Sequence, residues 1–305
     1  MKFTMMRHVA PWLVSFPFVL TCACAGLQTG AADKAARIMA LESNQGISYE
    51  KRITRELEWA SRFTDEDFAP EKLRTYSPET LRLLLESLDT ASFASHGARR
   101  YVSLQARVFD ELAARKLQTA ADAEGLFHRY LSARMFDQAK SLKSRFPDAN
   151  LWDIPEIVES TEPGNLYRAY DISNDSRTAT VKYLPMKTGP KIIIAAMGGC
   201  PVTSRALKYV ESDKGLLEAL QSNGIILTIR FEPGGVAYLN SKTSAARLYV
   251  AYTQEAWPGI DFSRSPTFYF LKDGKILHQF VGWGPEEKSV RDFNKGLERI
   301  GLKRS

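Results

Sequence analysis

Cysteine and histidine are scarce in this chain. Only three Cys and four His occur among its 305 residues. His96 and His128 stand isolated in the sequence, whereas metal sites draw on clustered ligands. We therefore expect no metal ion and no other cofactor.

The sequence also lacks a block of like charge and a long apolar segment. Its 41 basic and 35 acidic residues give a formal charge of +6, spread along the chain. Such a mild excess is typical of a solvated surface, so we expect no nucleic-acid partner. The longest apolar stretch near the N-terminus, Val9 to Leu20, is interrupted by Pro11 and Pro17 and is too short to cross a membrane comfortably.

Residues 1–25 have the pattern of a secretory signal peptide. Lys2 and Arg7 precede the apolar stretch, and small residues around Cys24 satisfy the cleavage rule, giving a mature chain from about Gly26. A lipoprotein is the alternative, with Cys22 or Cys24 as the acylated residue. We therefore expect an exported, periplasmic protein, with membrane contact only through such an anchor.

Composition predicts a globular protein of two domains. Hydrophobic residues make up 44% of the chain and charged residues 25%, enough for a sizeable core. We predict a helical domain over residues 26–150, a linker over 151–164 and a second domain over 165–305. The helical domain serves either as a scaffold or as a platform for a partner. Its predicted helices span Ile47 to Phe63, Pro78 to Leu88, Arg99 to Arg115, Ala120 to Leu131 and Met135 to Phe146. The last two weakly resemble a tetratricopeptide hairpin.

The segment from Lys191 to Leu207 carries the chemistry that the sequence supports best. Ile192 to Met197 is an apolar run typical of a buried strand, two glycines follow, and Cys200 with Pro201 would open a helix. First-turn N–H groups lack intrahelical partners and the helix dipole is positive there, so a thiolate is favoured. Thr203 would lie near the sulfur of Cys200 and could donate a hydrogen bond to it.

The rest of the second half alternates strands and helices. We predict a strong hairpin turn at Asp273-Gly274, and a turn at Glu232 to Gly235. The other predicted elements are a hairpin of Leu166 to Asp171 with Thr178 to Leu184, a buried strand over Ile225 to Phe231, and helices over Thr243 to Trp257 and Glu286 to Ile300.

The segment Ser265 to Gly282, SPTFYFLKDGKILHQFVG, resembles the cis-proline strand, hairpin and last strand of the thioredoxin fold. The element order matches as well, and the separation of 66 positions from Cys200 to Pro266 resembles that of the periplasmic TlpA/ResA-like branch. The resemblance implies an α+β chain, in which an all-α N-terminal domain precedes an α/β thioredoxin-like domain with a central mixed sheet. It also implies that Ser265-Pro266 faces Cys200.

The motif departs from the family in one decisive place. Thioredoxins carry Cys-x-x-Cys, whereas this chain has Cys200-Pro201-Val202-Thr203, and the preceding strand holds no carboxylate. Our first hypothesis is a monothiol oxidoreductase: Cys200 is the nucleophile, Thr203 tunes it, and Pro201, Ser265 and Pro266 contact a partner protein. Our second is a redox-inactive binding or assembly module of the cell envelope, which binds its partner through the thioredoxin-like face or the helical domain.

Overall fold

A computed structural model describes residues 30–160, 164 and 166–303. The segment predicted to be a signal peptide, together with Cys22 and Cys24, lies outside these residues. Export and lipidation therefore stay predictions.

The N-terminal part of the described chain is helical. Ser77 caps α4 by accepting a hydrogen bond from the N–H of Thr80, and Thr119 forms a capping box with Asp122 at the start of α6. These caps explain why the helices begin close to where the sequence predicted. The helices are α1 Ala31–Glu42, α2 Tyr49–Ala60, α3 Pro70–Leu73, α4 Pro78–Ala94, α5 Arg99–Ala114, α6 Ala120–Ser132 and α7 Phe136–Arg145.

The second part forms one mixed sheet of eight strands, in the order β1-β3-β2-β6-β5-β4-β7-β8. Strands β4, β5 and β6 are mutually parallel, whereas β7 runs antiparallel to β4, and β8 to β7. The predicted mixed sheet and the α+β class are confirmed. The strands are β1 Glu156–Val158, β2 Arg168–Ile172, β3 Thr178–Tyr183, β4 Pro190–Ala195, β5 Gly224–Thr228, β6 Leu248–Ala251, β7 Thr267–Lys272 and β8 Lys275–Val281.

Four helices accompany the sheet: α8 Pro201–Ser212, α9 Lys214–Asn223, α10 Pro233–Lys242 and α11 Glu286–Ile300. The predicted helix over Thr243 to Trp257 is wrong, because that region contains β6, paired with β2 and β5. The predicted turn at Glu232 to Gly235 instead opens α10, with Pro233 at its first position. A short apolar run such as Leu248–Ala251 does not distinguish strand from helix by periodicity.

The segment predicted as a linker is structured where it is described. Its residues Glu156–Val158 form β1 and pair in parallel with β3. In the same segment, before β1 begins, the indole ring of Trp152 lies edge-on against His128 of α6, with ring centroids 4.5 Å apart. The chain is thus held against both the helices and the sheet as it passes between them.

The helices and the sheet share one continuous apolar core. Phe136 of α7 packs on Phe231, with ring centroids 4.9 Å apart. Between α6 and α7, the buried guanidinium of Arg134 donates hydrogen bonds to the carbonyl oxygens of Ile229 and Ala251. This packing fixes the helical region against the edge of the sheet where the parallel strands end.

Candidate functional site

Cys200 lies at the N-cap of α8, where the sequence predicted it. Strand β4 ends at Ala195, and the backbone then turns through Gly199, whose φ of +73° favours glycine. Pro201 occupies the first helical position and is exposed. The thiol therefore stands at the positive end of a twelve-residue helix.

The structure brings the predicted residues Thr203, Ser265 and Pro266 to this thiol. The Ser265-Pro266 peptide bond is cis, and the Cys200 Sγ lies 3.5 Å from the carbonyl oxygen of Ser265. The Ser265 hydroxyl accepts a 2.8 Å hydrogen bond from the Met197 N–H and lies 3.2 Å from the hydroxyl of Thr203. Two loops that are distant in sequence are thereby joined around one sulfur.

The pKa of the Cys200 thiol lies below its ordinary value. Burial acts to raise this pKa, but hydrogen bonds from the backbone N–H and the hydroxyl of Thr203, and from the hydroxyl of Ser265, stabilise the thiolate. The hydrogen bonds together outweigh the burial. Since the thiolate is the nucleophilic form, the site favours reaction at lower pH than a free cysteine.

Two further charged residues border the site, and the sequence analysis did not identify them. Arg230 and Glu232 follow β5, the strand parallel to β4, and a Cβ placed on Gly198 would lie 3.4 Å from the Glu232 Oε2. A carboxylate is thus present near the thiol, although it comes from the neighbouring strand rather than from β4. The carboxyl ends of adjacent parallel strands meet at one edge, and that rule would have identified both residues.

An open groove of about 280 Å³ runs beside the thiol, between α8 and α10. Its wall is mainly apolar, with Leu207 from α8 and Val236 and Leu239 from α10. Cys200, Arg230 and Glu232 line the same groove. The groove therefore combines an apolar wall, a nucleophile and two groups of opposite charge.

A second, more polar cavity of about 300 Å³ lies between the helical region and the sheet. It shares Met197, Arg230 and Glu232 with the groove, and His96 and His128 line its helical side. Burial lowers the pKa of both histidines and thereby favours their neutral forms. Residues of the helical region thus line a cavity at the edge of the sheet where Arg230 and Glu232 lie.

The helical region also reaches the loop that contains the cis-proline. Arg264, next to Ser265, lies 3.7 Å from Glu50 of α2 in a partly exposed ion pair. An ion pair thus connects α2 to the loop beside the thiol.

Neither a metal centre nor a membrane-spanning element is found in the part of the chain that the structure describes. Within residues 30–160, 164 and 166–303, no three His, Cys, Asp or Glu side chains are grouped as metal ligands. No helix in these ranges is long and apolar enough to cross a bilayer.

Comparisons with known proteins give little beyond the structure itself. No model of a known protein family matches the sequence, and no curated protein sequence matches it either. Among solved structures, a thioredoxin-like protein from Bacteroides caccae is similar at 10% sequence identity and a TM-score of 0.30, over 88% of this chain and 95% of that one.

The class of protein follows from the strand order. Parallel β5 and antiparallel β7 flank β4, β8 forms the edge, a helix with a cysteine at its N-cap follows β4, and a cis-proline precedes β7. This arrangement is that of a thioredoxin-like fold, here preceded by helices.

Proposed function

We propose that this protein is an exported monothiol thioredoxin-like protein that exchanges thiols and disulfides with partner proteins through Cys200. The observation that carries the proposal is the placement of the Cys200 sulfur at the start of α8, within hydrogen-bonding reach of Thr203 and Ser265. A buried, inert cysteine would have no need of donors that stabilise its thiolate.

The reaction follows from one thiolate, because Cys200 is the only cysteine among the residues that the structure describes. The Cys200 thiolate attacks one sulfur of a partner's disulfide, the disulfide bond breaks, and the other sulfur leaves as a thiolate that takes a proton from water. Position 203 holds Thr, so the mixed disulfide persists until a second thiol from outside attacks it and restores the Cys200 thiolate.

The proposal also includes the branch of the thioredoxin fold, the residues that contact the partner, and the route of export. Hairpin β2–β3 supports a place in the TlpA/ResA-like branch, which carries a preceding hairpin and an inserted helix. The inserted helix expected over Thr243 to Trp257 is replaced by β6, but α10 stands between β5 and β6. Pro201, Ser265 and Pro266 would contact the partner. Residues 1–25 would direct export to the periplasm, either as a cleaved signal or through a lipid on Cys22 or Cys24.

Alkylation of Cys200 by iodoacetamide as a function of pH tests the proposal, with unfolded protein as the reference. We expect the rate in the folded protein to titrate below the value for the unfolded thiol. We also expect mixed disulfides with envelope proteins on non-reducing gels, and their loss in Cys200→Ser. A thiol that reacts only after unfolding, or adducts that persist in Cys200→Ser, would contradict the proposal.

A second candidate is a redox-inactive binding module. The ion pair between Arg264 and Glu50 favours it, because α2 then bounds the cis-proline loop that a thioredoxin would use for substrate proteins. This candidate predicts that partner binding survives Cys200→Ala, and a pull-down with that variant distinguishes the two functions.

A further inference from the structure

Two residues of opposite charge line the groove beside Cys200. Arg230 and Glu232 stand two residues apart after β5 and line the groove together with the thiol. Within the described part of the chain, neither side chain makes a hydrogen bond or ion pair, and the two do not pair with each other. Both are only partly exposed. A carboxylate and a guanidinium held this way are available to a ligand.

Their position matches where ligands bind in sheets of this type. Met197 and Cys200 follow β4 while Arg230 and Glu232 follow the parallel strand β5, so all four stand at the carboxyl edge of the sheet. The Arg230 guanidinium stacks on the Phe93 ring, 5.4 Å away, which restricts its motion, and Arg230 lines both the groove and the neighbouring cavity. The ligand site is therefore partly organised in advance.

The volume of the groove limits the size of the ligand that it can bind. A groove of about 280 Å³ accommodates an amino acid or a short peptide, and its apolar wall of Leu207, Val236 and Leu239 suits a methylene chain. Cys200 offers a sulfur partner, Arg230 a cation for a carboxylate, and Glu232 an anion for an ammonium group.

We propose that the groove binds a small zwitterionic thiol, an amino acid or short peptide with a free carboxylate, a free ammonium and a thiol. Arg230 receives the carboxylate, Glu232 the ammonium, and the thiol sulfur lies at Cys200. This inference rests on the proposed exchange chemistry, and it names the second thiol that the single cysteine requires.

Two successive thiol–disulfide exchanges at Cys200 complete the proposed reaction. The Cys200 thiolate attacks a disulfide between a protein sulfur and the small thiol, forming a disulfide between Cys200 and the small thiol and releasing the protein thiolate, which takes a proton. A second molecule of the small thiol then attacks, loses its proton, and leaves as the symmetric disulfide while the Cys200 thiolate is restored. The net change converts the protein mixed disulfide and one molecule of the small thiol into a protein thiol and the symmetric disulfide, so one small thiol is oxidised for each protein sulfur reduced.

The test uses four symmetric disulfides as probes: cystine with both charges, cystamine with ammonium only, dithiodipropionate with carboxylate only, and bis-hydroxyethyl disulfide with neither. Mass spectrometry follows formation of the adduct on Cys200 in the full protein. We expect cystine to react at least about tenfold faster than the uncharged probe, since a charge-assisted hydrogen bond is worth about that factor.

Two variants test whether Arg230 binds the carboxylate of the probe and Glu232 its ammonium group. Arg230→Gln should slow dithiodipropionate and cystine about tenfold but not cystamine, and Glu232→Gln should slow cystamine and cystine but not dithiodipropionate. Arg205→Gln is the matched control, because Arg205 is exposed on α8 and does not line the groove. Iodoacetamide rates on each variant separate a change in thiolate reactivity from a change in binding.

The outcomes distinguish this inference from the function on which it rests. Equal rates for all four probes, or rates unchanged in both groove variants, would overturn the zwitterion site while leaving thiol exchange intact. Failure of every probe and of iodoacetamide in the folded protein would overturn the exchange function itself.

Discussion

The guanidinium of Arg134 donates a 2.7 Å hydrogen bond to the carbonyl oxygen of Ala251, at the end of β6. It also donates to Ile229 and Tyr252, and its charge lies 5.6 Å from the ring of Tyr170. Burial lowers the pKa of Arg134 to about 10, so the group stays charged at neutral pH. One side chain from the helical region thus satisfies the carbonyl groups that the sheet leaves at this edge.

Replacing Arg134 should loosen the helical region from the sheet. We expect Arg134→Met to lower the free energy of unfolding by at least about 2 kcal/mol, because several buried carbonyl groups lose their donor. Urea unfolding measures the loss. Arg145→Gln is the control, since Arg145 forms an exposed ion pair with Asp110 and should cost less than about 1 kcal/mol. Equal stability of Arg134→Met and wild type would contradict the role.

Removing the hydroxyl of Thr203 should raise the pKa of Cys200. Thr203→Val keeps the shape and the backbone N–H but loses the side-chain hydrogen bond that favours the thiolate. The pH profile of iodoacetamide alkylation should therefore move to higher pH, with a slower rate at neutral pH. Thr203→Ser retains the donor and should keep the wild-type profile. A Val variant that titrates like wild type would show that the hydroxyl is not a significant donor.

Glu56 should make stability depend on pH. Its carboxyl is fully buried, and burial, followed by the nearby carboxyl group of Glu42, raises its pKa from 4.5 to about 7, despite Arg52 at 3.7 Å. The folded state then binds the proton more tightly than the unfolded chain. Stability should fall as pH rises from about 4.5 to about 7, by at most about 1.4 kcal/mol per pH unit.

Urea unfolding across this pH range checks the Glu56 prediction. Glu56→Gln keeps the shape of the protonated carboxyl, so this variant should flatten the decline and be more stable than wild type above pH 7. Glu58→Gln, on the same helix but exposed, should leave the slope unchanged. A slope that persists in Glu56→Gln would assign it to other groups.

Two helical glycines should respond oppositely to alanine. A Cβ at Gly296 of α11 would lie 2.5 Å from the ring of Phe270, so Gly296→Ala should cost about 1–3 kcal/mol through overpacking. Gly125 of α6 has no atom within 4 Å of such a Cβ, and Gly125→Ala should gain up to about 1 kcal/mol from helix propensity. Thermal or urea unfolding compares them. Similar effects of the two substitutions would contradict the close contact.

The local elements of the fold were predictable because their determinants are adjacent in sequence. Helix α11 begins and ends where the pattern predicted, and Asp273-Gly274 forms the predicted hairpin turn between β7 and β8. The helix over Thr243 to Trp257 was a wrong prediction. Strand β6 is short, and only its pairing with β2 and β5 selects the extended form.

By itself, the sequence determined the placement of Cys200 at a helix N-terminus, since glycine, cysteine and proline in succession impose that turn locally. The resemblance to thioredoxins placed Ser265 at that sulfur, whereas tertiary structure alone decided that Arg230 and Glu232 line the same groove and that Arg134 joins the helices to the sheet. Strand order and helix packing bring these residues together across tens of residues of chain. Contacts of that kind depend on burial and pairing throughout the molecule, which no local pattern encodes.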